Sequence, residues 1–187
     1  MDSCSDYVRE KILNRHWRNV NIEKNIKLIH EYGIKTWVNF MLAAPESTTD
    51  DDLESIYLSH RCHVTYAAYT MTSPMRGTDL FNYSLQKGYI DNNYDGYVTA
   101  ELKDVAINYL SKKDEKIRKN IFYLGSIVSK LPFPLFSLGV FIIKHFKPNK
   151  IFYHIQKLYL TYNREHVIFK IDKKKEKHNA IRKNQPS

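Results

Sequence analysis

Apolar positions recur with two different periods along this chain, and the change of period marks its organisation. From Asn21 to Tyr32, Ile22, Ile26 and Ile29 fall on one face of a helix, and Gly33 stands where a left-handed cap residue is wanted. The segment from Ile34 to Leu42 (IKTWVNFML) is instead nearly continuous in bulky apolar side chains, which predicts a strand covered on both faces, as in parallel sheets. Thr48, Thr49 and the acidic run Asp50 to Asp52 then supply the cap and negative charge of a helix start, and Leu53, Ile56 and Tyr57 supply its buried stripe. His63 to Met71 (HVTYAAYTM) reads as a second strand, in which Tyr66 and Tyr69 face opposite sides. A third helix opens at Thr78 or Asp79 and closes at Gly88, and a fourth is predicted over Ala100 to Leu110. Helix and strand alternating in this way predict a parallel α/β sheet, open or closed into a barrel.

The pattern breaks in the back third. Ile117 to Lys170 is aromatic, basic and punctuated by Pro132, Pro134 and Pro148, and reads as short helices packing on something else. Lys173 to Ser187 has too few apolar residues to hold structure and reads as a tail. Charge follows the same division. Of 29 Lys/Arg and 20 Asp/Glu, 18 and 5 lie from Ser111 onward, leaving 11 and 15 before it, so a mildly acidic front precedes a strongly basic back. That basic region carries no zinc-finger, RNP-like or recognition-helix signature, which disfavours nucleic acid as a partner. Two cysteines make no disulfide framework, and a reducing, cytoplasmic setting is expected. The longest uncharged apolar stretch, Leu131 to Ile143, falls short of the roughly 20 residues needed to span a bilayer. Contact of the basic, aromatic Phe133 to Tyr159 stretch with the surface of an anionic membrane is a separate expectation. His60, Cys62 and His63 lie close together, but their spacing matches no common zinc motif, and Cys62 reads as a small core residue.

Three collinear segments carry a resemblance. Asp2 to Asp6 (DSCSD), running into Ile12 to Arg15 (ILNR), is similar to an E-S-G-S-D segment followed by a helix closing in L-x-R. Gly33-Ile34 through Met41 to Thr48 (MLAAPEST) is similar to G-I…M-x-G-x-P-G-E-T, with Ala43 and Glu46 standing at the glycines and Ser47 interrupting the motif. Ser73 to Thr78 (SPMRGT), with Leu80 and Gly88, is similar to P-x-P-G-T-x-L and a downstream glycine. Together they resemble the carboxy-terminal part of radical SAM enzymes, above all those that follow a cobalamin-binding domain. The fold implied is α/β: the C-terminal half of a TIM-like (β/α) barrel over residues 1–95, a helical basic extension over 96–170 and a basic tail over 171–187.

The resemblance also implies a site. Asp2 and Asn39 would contact the ribose of S-adenosyl-L-methionine, and Arg15 would pair with its methionyl carboxylate through a bidentate fork. The 4Fe–4S cluster of the family is held by C-x3-C-x2-C, which this chain lacks, so the cluster and any cobalamin are expected only in a complete family protein. The expected function is that of a radical SAM fragment supplying the SAM-binding and substrate-facing rim, incompetent alone and completed by an amino-terminal half that carries the cluster motif. The alternative is a non-enzymatic module that uses the basic aromatic region on a membrane or a partner protein. An isolated half barrel would leave apolar strand surface uncovered, so self-association is expected of the chain on its own.

Overall fold

Short polar side chains set where most of the helices begin. Asn21 Oδ1 accepts from the Lys24 N–H at 2.9 Å and opens α1 (Ile22–Glu31). Thr48 and Asp51 each accept from the other's backbone N–H, a capping box that opens α2 (Thr49–Arg61). Thr78, Ser111 and Asn149 cap α3 (Asp79–Gln86), α4 (Lys112–Val128) and α6 (Lys150–Tyr162) in the same way, and α5 (Leu135–His145) follows Pro134. The computed structural model describes residues 2–16, 21–96 and 106–168. Within them the chain runs through a short π-helical turn (Val8–Ile12), α1, β1 (Trp37–Leu42), α2, β2 (Tyr66–Met71), α3, α4, α5, α6 and a second π-helical turn (Asn163–Ile168).

The two strands pair in parallel, in register from Trp37 opposite Tyr66 to Leu42 opposite Met71. Strand alternation sends Val38, Phe40, Leu42, Ala67, Tyr69 and Met71 to one face, where they are buried in a single cluster with residues of α2 and α4. Phe40, Leu42, Ile56, Ile121 and Ile143 are wholly enclosed there, each contributing about 1.5–3 kcal/mol relative to exposure. On the other face Trp37 is 46 % exposed and Asn39 and Thr70 are exposed. The strand expected to be covered on both faces is therefore covered on one.

The expected half of a TIM-like barrel is not formed. Among the described residues the sheet has two strands and most of the chain is helical. The reason lies at the edges. The N–H groups of Tyr66 and Thr72 bond back toward β1, at Thr36 and Leu42, so the odd-numbered residues of β2 turn their backbone groups to its other edge. There α4 lies where a further strand would pair: Ser126 Oγ donates to the Ala67 carbonyl at 2.5 Å, and just beyond the end of α4 Lys130 Nζ donates to the Val64 carbonyl, ahead of β2. The close approach is made at Gly125, where a Cβ would come within 2.8 Å of the Tyr69 ring. On the β1 edge the Met41 N–H donates to the Asp2 carbonyl at 2.8 Å.

Two further expectations change. The helix predicted over Ala100 to Leu110 lies outside the described residues up to 105, and residues 106–110 form a turn. The short helices expected after Ile117 include one long one, the 17-residue α4, whose Ile117, Ile121, Leu124 and Val128 enter the main core. The basic tail from 171 to 187 lies outside the described residues. Among the described residues no helix is long and apolar enough to cross a membrane.

Candidate functional site

The loop from β1 to α2 organises the carboxyl end of the sheet. Ala43 and Glu46 both take left-handed backbone, with φ of 55° and 63°. The Ala43 N–H donates to Asp52 Oδ2 at 3.1 Å, and the same oxygen accepts from Arg118 Nε at 2.5 Å. Arg118 Nη2 also donates to the Ser47 carbonyl at 2.7 Å and to Ser47 Oγ at 3.3 Å. Arg118 and Asp52 side chains are 1 % and 3 % exposed, so this ion pair lies inside the protein and ties α4 to the loop and to α2. Burial pushes the Asp52 carboxyl up to about 6, with Arg118 and the Ala43 N–H offsetting part of that rise.

Above this pair, Glu46 gathers tyrosines. Its Oε2 accepts from Tyr7 OH at 2.8 Å, and its Oε1 accepts from Tyr83 OH and, at 3.3 Å, from Tyr89 OH. The Glu46 N–H donates to Tyr109 OH at 2.7 Å. Hydrogen bonds from Tyr83 and Tyr7 hold the Glu46 carboxyl below its ordinary range, while burial and the carboxylate push Tyr83 upward. The four tyrosines come from four separate stretches of chain with no recurrent spacing. Sequence reasoning missed the cluster for that reason.

The three residues expected to meet SAM are arranged unevenly. Arg15 Nε lies 3.3 Å from Asp2 Oδ2, and Asp2 is bonded through its carbonyl to Met41, two residues beyond Asn39 on β1. Asp2 and Arg15 are thus brought together at the rim. The Arg15 side chain is 59 % exposed, which leaves the outer edge of its guanidinium within reach of a carboxylate. Asn39 is exposed, not buried as its apolar strand suggested, and its Oδ1 accepts from Trp37 Nε1 at 2.8 Å. Of these groups the Asn39 amide can donate and accept, the Asp2 carboxylate accepts and the Arg15 guanidinium donates.

The residues do not suit a 4Fe–4S cluster. Cys4 and Cys62 are the chain's two cysteines, and both pack at the main apolar core. Burial, aided by Glu54 and Asp52, pushes the Cys4 thiol up to about 12, and burial raises Cys62 as well, which favours thiol over the thiolate that iron requires. Among the described residues no group of three or more His, Cys, Asp or Glu side chains is gathered to hold a metal ion. His60 stacks on Phe136, with ring centroids 3.9 Å apart, and His63 is exposed. No family model matches this chain, and neither a curated protein nor a solved structure matches it.

Proposed function

We propose that the chain derives from a radical SAM enzyme and retains the rim that meets SAM, with Arg15 facing the methionyl carboxylate and Asp2 and Asn39 facing the ribose. The observation that supports this best is the left-handed backbone at Ala43 and Glu46, the two positions where the resembling motif has glycine. Holding an L-residue there costs roughly 1–2 kcal/mol, and neither alanine nor glutamate favours that conformation. A loop shape inherited from glycine-bearing relatives accounts for both angles at once. The buried Asp52–Arg118 pair and the tyrosines around Glu46 supply the contacts that keep such a loop in place.

This reading needs no barrel. It needs only that the first segment, β1 and the loop after it stay in the order that puts Asp2 beside Met41 and Arg15 against Asp2. On this reading the chain performs no radical chemistry alone. The cluster and any cobalamin belong to an amino-terminal partner carrying the cysteine motif, in a cytoplasmic setting that keeps Cys4 and Cys62 as free thiols. Anaerobic incubation of the purified chain with iron, sulfide, dithionite and SAM tests this. No 5′-deoxyadenosine should form beyond the protein-free control, and formation of it at a rate that scales with protein would overturn the proposal.

A further inference from the structure

Helix α5 carries apolar side chains on its inward and outward faces alike, with Ser137 its one polar residue before Lys144. Phe136, Gly139, Val140 and Ile143 face inward and are buried, but the outward face repeats the chemistry with Leu135, Leu138 and Phe141, each about half exposed. A surface helix ordinarily turns polar residues outward, and a helix apolar all round is covered on all sides. Phe133 before it and Phe146 after it extend the uncovered surface. Eleven residues, about 16 Å of helix, cannot cross a bilayer but can lie on one.

The charges that follow along this stretch of chain are predominantly positive. Between Ser129 and Ile168 the chain carries six Lys/Arg (Lys130, Lys144, Lys147, Lys150, Lys157 and Arg164) against the single Glu165. At the carboxyl end of α5 a cavity of about 530 Å³ is lined by Lys113, Lys116, Lys144 and His145 together with Asp50 and Asp114. Asp114 is already engaged by the Thr49 and Ser111 hydroxyls. Helix α6 repeats the pattern, with Ile151, Ile155 and Leu158 exposed along one stripe and Lys150 and Lys157 beside them.

We infer that α5 and its basic surroundings dock on an anionic lipid surface, apolar side chains entering the acyl boundary and lysines meeting the headgroup phosphates. This stands independently of the SAM reading. Lysine is depleted in the cores of protein–protein interfaces, whereas a polybasic rim around exposed Leu and Phe is what an anionic leaflet attracts. A second copy of the same face would set lysines against lysines.

Co-sedimentation of the full chain with vesicles of phosphatidylcholine, alone or with about one third phosphatidylserine, reads the inference directly. Binding to the anionic vesicles should exceed binding to neutral ones at least about tenfold and should fall in about 0.5 M salt. Leu138→Asp/Phe141→Asp should abolish it with the circular dichroism spectrum unchanged. Lys147→Glu/Lys150→Glu, wholly on the surface, should weaken it even if the first variant proves unstable. Equal or absent pelleting with both vesicles overturns the inference. So does undiminished binding by either double variant, or a dimer in sedimentation that Leu138→Asp dissolves.

Discussion

Replacing Arg118 with Met removes the cation from a carboxylate almost wholly shut off from water. Asp52 would stay 3 % exposed, keeping the Ala43 N–H as donor, while the Ser47 carbonyl would lose the Arg118 Nη2 donor. Breaking one side of a buried pair costs about 3–5 kcal/mol, a large share of the roughly 5–15 kcal/mol that holds a domain folded. With a urea m-value of about 2 kcal/mol/M, the midpoint should fall by about 2 M. The loss should also depend on pH. Asp52 sits at about 6 against an ordinary 3.8, so the folded state binds its proton more tightly than the unfolded chain. Stability from this group is therefore greatest below the ordinary value and declines as pH rises through about 6. Without Arg118 the carboxyl rises further, so the penalty should be large at pH 7.5 and shrink toward pH 4.5. Asp52→Asn/Arg118→Met should lose that pH dependence. Urea melts of the three proteins at both pH values decide it. A loss below about 1 kcal/mol, or one equal at both pH values, would refute the account of this pair.

Ala43→Gly should stabilise the protein by about 1 kcal/mol by relieving left-handed backbone at a buried position, a gain visible as a higher melting temperature. Because tyrosine hydrogen bonds hold Glu46 below its ordinary 4.5, its contribution should be present above that value and lost as pH falls below it. Acid unfolding of Glu46→Gln should lack that component. Cys4, raised to about 12, should resist a thiol reagent such as DTNB at pH 8 in the folded protein and react promptly in denaturant.

The parallel strands were legible because bulky apolar runs at 34–42 and 63–71 have few other uses. Each strand begins three residues late, since Ile34 is largely exposed and His63 takes φ of 50° as the chain leaves α2. The barrel was misread because α4 occupies the edge of β2 through Ser126, a hydroxyl whose role depends on tertiary contact and leaves no periodic trace. The stripe Ile117, Ile121, Leu124 and Val128 does carry a helical period, and it marks α4 as a core helix although prolines further along make the whole region look broken. Asn39 illustrates a subtler point. Its neighbours are apolar, but period two puts it on the face of Trp37, and that face is open. The site around Glu46 joins residues 37 to 63 positions away, and such contacts appear only once the chain is folded.

Titration calorimetry of SAM into the full chain and into Arg15→Met tests the central claim most directly. The unaltered chain should bind SAM saturably at one site, and Arg15→Met should lose about tenfold or more, the worth of one charged hydrogen bond to the methionyl carboxylate. Adenosine, which lacks that carboxylate, should bind both proteins alike. Absence of SAM binding, or equal SAM affinity in the two proteins, would contradict it.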